Sequence, residues 1–214
     1  NLPIILSWPI AGLFCGVIAF LIGKIALGLR SDYLAIATLG ISEIIIYIIK
    51  NEEWLARGVK NVNGLPRPVP YEIDLQKNDF IQLISNNLNL SVIELSSLIV
   101  KGLYSILFIL VLLLIFFLLQ KAIKSPWGRM MRAVRDNEIS AEAMGINVKK
   151  RHLQVFIIGS AIIGISGAML TTLDGQFTPS SYQPLRYTFL IWIMVLIGGS
   201  GNNHGAISGG VAIW

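Results

Sequence analysis

The chain has 214 residues, of which 54% are hydrophobic and 14% charged, with a formal net charge of +5. Soluble domains run at about 45–50% apolar and 25% charged, so this balance excludes an ordinary soluble enzyme and fits a membrane protein. The excess cations gather in one polar stretch without interleaved aromatics, which argues against a nucleic-acid face, and the single Cys15 excludes an internal disulfide framework.

The apolar residues fall into runs near the ~20 residues that a helix needs to cross about 30 Å of hydrocarbon. The pattern predicts an all-α, polytopic transmembrane bundle of about five spans, one domain over 1–214. Because residue 1 is Asn and the sequence stops inside an apolar run, GAISGGVAIW, it reads as a fragment lacking both termini. The first run has no basic leader and is too long for a signal-peptide core.

A first span is expected over about 3–29, with Trp8 as an interfacial anchor and Gly12 and Gly16 either spaced for close helix packing or simply small residues of the kind common in any membrane helix. After Arg30-Ser31-Asp32, a second span over 33–49 carries Thr38, Ser42 and Glu43. A carboxylate at that depth must face protein or water, so these three are candidates for a solute pathway. The structural alternative is that the hydroxyls bond to carbonyls of their own helix and that Glu43 makes an interhelical bond.

Residues 50–100 read as a long mixed-charge loop, irregular in its first half, with a short amphipathic turn near 79–85. A third span, about 98–119, is so uniformly Leu, Ile, Val and Phe that it reads as lipid-facing. A fourth, about 153–173, repeats Ser160, Gly164 and Ala168 at four-residue spacing, a second packing stripe. The turn-rich segment after it offers Asp174, Gln176 and Thr178 as polar groups at a pathway mouth. A fifth span begins near Tyr187 and runs into GGSGNNHGAISGG, where Gly201, Gly205 and Gly209 predict a helical break or close crossing.

Between the third and fourth spans, 121–152 holds Lys121, Lys124, Arg129, Arg132, Arg135, Lys149, Lys150 and Arg151 against Asp136, Glu138 and Glu142. Cations beside spans stay in the cytoplasm, which places 121–152 inside and both 50–100 and 174–186 outside. Within it, Ser125-Pro126 starts a helix, Asn137 to Met144 forms a second short helix, Gly145 ends it and Asn147 caps the next span. Such an elbow either meets anionic headgroups or docks into a partner.

The stretch GRMMRAVRDNEISAEAMGINVKKRHLQVFIIGSAIIGISGAM resembles the cytoplasmic loop and following helix of the LivM-type permeases, membrane subunits of branched-chain amino-acid ABC importers. DYLAIATLGISEI upstream and GGSGNNHGAISGG downstream resemble other segments of that family, in the same order. The resemblance implies a non-catalytic, pore-forming subunit of the bacterial inner membrane. It further implies a second permease subunit, two cytoplasmic ATP-binding subunits holding ATP and Mg, and an extracytoplasmic solute-binding protein, with no cofactor or metal in this chain. Coupling to the ATPase falls by that resemblance on Arg132, Asp136, Asn137, Glu138, Ala141, Glu142, Ala143 and Gly145. Related importers carry urea or short amides. An ion-coupled secondary transporter is the rival class, with Glu43 as its central carboxylate, and a membrane enzyme is disfavoured by the lack of any His/Cys/Asp cluster.

Overall fold

The computed structural model describes residues 4–29, 31–56, 60–88, 91–179 and 182–213. Arg30, in the expected first connection, and Ser180 lie outside the described residues. The chain is helical nearly throughout: α1 (Ile4–Ala26), α2 (Ser31–Asn51), α3 (Glu53–Ala56), β1 (Val62–Asn63), α4 (Glu72–Gln76), α5 (Asp79–Leu88), α6 (Val92–Lys124), α7 (Pro126–Asp136), α8 (Glu138–Ala143), α9 (Val148–Asp174), β2 (Gln176–Phe177), α10 (Pro184–Gly198) and α11 (Asn203–Ile213). Among the described residues, α1, α2, α6 and α9 are long and apolar enough to cross a bilayer, and α10 with α11 makes a fifth span if the bent pair is counted as one.

The antiparallel pair α1 and α9 is the centre of the bundle. Small residues let the two backbones approach: a Cβ on Gly12 would stand 2.9 Å from the Ala161 carbonyl oxygen, and one on Gly164 would stand 2.7 Å from Cys15 Cβ. Gly16 faces Ala161 and Ile157 at ordinary contact distance. At one end the Trp8 indole donates a hydrogen bond to Thr172 Oγ1 (3.2 Å). At the other, Gly23 lies against Leu153 and Phe156.

Helix α6 joins this pair through Tyr104, whose hydroxyl donates to the Thr172 carbonyl (3.3 Å), and through edge-on ring contacts of Phe108 with Trp8 and Tyr104. The expected third span at 98–119 lies within α6, whose 33 residues, about 50 Å at 1.5 Å each, extend beyond it at both ends. The helix starts earlier because Ser91 and Glu94 form a capping box, the Ser91 hydroxyl accepting from the Glu94 amide while the Glu94 carboxylate accepts from the Ser91 amide. Nor is α6 purely lipid-facing: Leu95, Ser96, Val100 and Tyr104 are buried.

The N-terminal end of α6 projects beyond the bundle and carries α4 and α5. There Val69, Val100 and Tyr104 form a small core with Leu75 and Phe108 packed on it. Gln76 donates to Ser96 Oγ (3.2 Å), and β1 pairs antiparallel with β2, Val62 opposite Phe177. Among the described residues the first half of the long connection has little regular structure beyond α3 and β1, as expected, and the amphipathic turn expected near 79–85 is the helix α5. The connection occupies the face of the bundle that holds the end of α9, and the cationic elbow α7–α8 occupies the opposite face.

Helix α10 breaks at Gly199 (φ +94) and Gly201 (φ +90), and α11 turns back at 118°. Both φ values lie where only glycine sits without strain. Gly205 and Gly209 meet the α10 backbone at the Gly198 and Met194 carbonyls, so no side chain fits between the helices. Gly201 belongs to the turn instead of that packed face. At the bend His204 lies 3.5 Å from Gln120 and edge-on to Phe116 of α6.

Adding a methyl at Gly12 or Gly164 forces the α1–α9 seam apart, whereas a Cβ on Gly167 meets nothing within 4 Å. We expect Gly12→Ala and Gly164→Ala each to lower stability in detergent by about 1–3 kcal/mol, with Gly167→Ala neutral or better, as read by thermal unfolding.

Candidate functional site

Two regions bring together chemistry-bearing side chains: the elbow on the cationic face, and a pair of cavities beside α2. The elbow is built from capping signals. Ser125 ends α6 and starts α7, its hydroxyl accepting from the Gly128 amide (3.4 Å) with Pro126 in the first turn. A Cβ on Gly128 would overlap the Ile123 carbonyl, so only glycine allows this tight a turn. Along α7, Trp127, Met130, Met131 and Val134 turn inward while Arg129, Arg132 and Arg135 stay exposed, the period of an amphipathic helix.

Asn137 Oδ1 then accepts from the Ser140 amide (2.9 Å) to start α8, and Asn147 Oδ1 accepts from the Lys150 amide (2.9 Å) to start α9. Gly145 (φ +85) makes the reversal between them. Val134, Ala141 and Val148 are buried together, with Ile146 packed against them. Surface contacts add to this: Glu138 faces His152 Nε2 at 3.6 Å, and Trp127 and Arg151 both donate to Gln154 Oε1.

Of the residues assigned to coupling by resemblance, Arg132, Asp136, Asn137, Glu138, Glu142, Ala143 and Gly145 are exposed, and Asp136 pairs with Arg135 (2.8 Å). Ala141 differs: it is 3% exposed and packs the inside of the elbow, so it holds shape rather than offering a contact. Two apolar residues that sequence reasoning did not single out, Ile139 and Met144, are 82% and 84% exposed beside it. Their signal was present as hydrophobes next to the caps of a charged loop.

The second region lies along α2, which packs loosely on the bundle and has no fully buried side chain among its described residues. A cleft of about 760 Å³ separates it from the α1–α9 pair, with Ile18, Ile22, Ile45, Ile46 and Ile49 in its walls. Ser42, Ser160, Gly164 and Ala168 line the same cleft, which brings together residues read separately as pathway and packing positions. The Ser42 hydroxyl donates to the Leu39 carbonyl (2.7 Å), and Thr38 donates to the Leu34 and Ala35 carbonyls, so both spend their donors within α2.

Glu43 is not in that cleft but in a neighbouring cavity of about 700 Å³ with Lys50, Tyr182 and Arg186. Asp174, the last residue of α9, and Gln176, in β2, are exposed, and Thr178 is half-buried beyond β2. Burial, with Asp174 and Tyr187 nearby, pushes the Tyr182 phenol above its ordinary range. Among the described residues no three His, Cys, Asp or Glu side chains gather as a metal site.

A family model described as branched-chain amino acid transport system / permease component matches residues 1–214, and the chain belongs to that family. It is 29% identical to the high-affinity branched-chain amino acid transport system permease protein LivM of Escherichia coli (strain K12), over 93% of this chain and 47% of that protein. It is 28% identical to the probable branched-chain amino acid transport permease protein LivM of Methanocaldococcus jannaschii, over 96% of this chain and 56% of the relative. The probable permease LivH of the same organism is 28% identical over 53% of this chain and 35% of its own length. The chain thus spans about half the length of the LivM relatives it matches. No solved structure matches it.

Loss of the Asn137 cap should loosen α8 alone. Asn137→Ala is expected to cost about 1 kcal/mol locally and to speed amide exchange over 138–143 about fivefold, while Asn137→Asp, which keeps an accepting oxygen, stays near the parent rate.

Proposed function

We propose, from that family membership, that this chain forms part of the translocation path of an ATP-driven importer carrying branched-chain amino acids across the bacterial cytoplasmic membrane. The names of the relatives support the substrate class. The observation that carries the ATP-driven part is the elbow: it is capped, internally packed and braced on α9, yet it leaves Ile139 and Met144 uncovered on a charged face. Apolar side chains so placed fit a cover supplied by a partner.

On this reading the cationic face is cytoplasmic, as the Lys and Arg bias of 121–152 requires. Two cytoplasmic ATP-binding subunits bind ATP and Mg, and a cleft in one of them receives the elbow. A second permease subunit completes the path, and an external solute-binding protein delivers substrate to the face carrying α4, α5 and the β-pair. The 214 residues contain no nucleotide-binding motif, which supports assigning hydrolysis to the partners.

The packing supports a division into parts that move together. Ser125 ties α7 to α6, the Val134–Ala141–Val148 cluster ties the elbow to α9, and the glycine seam ties α9 to α1. A push on the elbow from closing ATPases therefore shifts α6, α9 and α1 as a body. Helix α2, loosely attached, lags, and the cleft between them changes width. That relative motion is the step that switches the pathway from outward to inward facing.

With the complete importer in vesicles, Ile139→Asp and Met144→Asp should each lower ATP-dependent leucine uptake about tenfold or more while membrane insertion is kept, the scale of losing a central interface anchor. Undiminished coupled uptake in both variants overturns the docking role.

A further inference from the structure

Helix α2 presents two unlike stripes to the bundle. Ser42, Ile45, Ile46 and Ile49 face the apolar cleft, and Glu43 and Lys50, one hundred degrees of helix rotation to the side, face the charged cavity. Tyr182 stands in the wall of both, so the two spaces adjoin. Arg186, in the first turn of α10, completes the charged side, where the positive end of that helix also lies.

The side chains of Glu43, Lys50 and Arg186 form no ion pair or hydrogen bond with any described residue. One carboxylate and two cations thus line the same open cavity, Glu43 and Arg186 exposed and Lys50 partly buried, beside a cleft whose hydroxyls at Ser42 and Thr171 already donate to their own helices. A neutral solute would leave these charges unmatched. A purely hydrophobic one would leave the cavity unused.

We infer that the two spaces form one amphipathic site for a free amino acid with an aliphatic side chain. Arg186 and Lys50 take the carboxylate, Glu43 takes the ammonium group, and the isoleucine-walled cleft takes the hydrocarbon. The inference rests on the substrate class proposed above and adds the residues that recognise it. Glu43 lies seven residues along α2 from Lys50, about 10 Å nearer the cationic face, so the ammonium end sits deeper than the carboxylate. Charge-assisted hydrogen bonds of both signs offset the desolvation of the zwitterion, and neither sign alone does so.

Cys15, the single cysteine of the sequence, lines the cleft and serves as a reporter of its occupancy. The full-length permease, assembled with its partners in lipid nanodiscs, is treated with methyl methanethiosulfonate, and modification of the Cys15 peptide is followed by mass spectrometry. Leucine is expected to slow the reaction, and 4-methylpentanoate and isoamylamine, which each lack one charge, to need about tenfold higher concentrations. Glu43→Gln should abolish the advantage of leucine over 4-methylpentanoate, and Arg186→Gln its advantage over isoamylamine.

Failure of leucine to protect Cys15 in an assembly that imports leucine overturns the site, as does equal protection by all three compounds. A cleft filled by a lipid chain gives slow modification that leucine does not alter, and that also overturns it. An assembly that hydrolyses ATP but imports no branched-chain amino acid removes the substrate reading itself, and the site with it. The comparison of the three compounds on the unaltered protein stands whether or not the variants fold.

Discussion

Everything else in the bundle hangs on how closely α1 and α9 approach. In hydrocarbon no hydrophobic force draws helices together, so association comes from close backbone packing and a few buried hydrogen bonds. Gly12, Gly16 and Gly164 supply the first. Thr172 supplies the second twice over, its hydroxyl accepting from Trp8 and its carbonyl accepting from Tyr104, which fastens three helices at one residue. With that seam closed, α2 is left on the outside, and the cleft between it and the pair is a consequence of the seam.

Much of this was legible in the sequence because the signals are local. Apolar run length marks the spans, Ser125-Pro126, Asn137, Gly145 and Asn147 punctuate the elbow, and the glycine pattern after Ile197 announces the break in the last span. The start of α6 was also marked, by Ser91 three residues before Glu94, within a stretch assigned to the mixed-charge connection. Charge at the end of a helix longer than the membrane is thick reads the same as charge in a connection.

What was not legible depends on contacts between distant residues. Nothing near Trp8 or Tyr104 announces a shared partner at Thr172, 164 and 68 residues away. Ala141, small and flanked by polar residues, fits either side of a six-residue helix, and only its packing with Val134 and Val148 decides. Lys50 and Arg186 look like interfacial anchors at span ends until the fold sets both around the cavity that holds Glu43.

The break after Gly198 bears on the electrical profile of the membrane. A turn of backbone cannot sit in dry lipid, because its amides and carbonyls lack partners there, so water or protein polar groups must reach residues 199–202. Those residues lie toward the end of α6 that carries Gln120 and Lys124, and a Cβ on Gly201 would stand 4.0 Å from the Arg135 guanidinium. The α10 segment crossing lipid is then only 15 residues, about 22 Å. Where water makes that contact, the low-dielectric layer is thinner at the turn, and the self-energy barrier to a charge falls with the thickness of that layer.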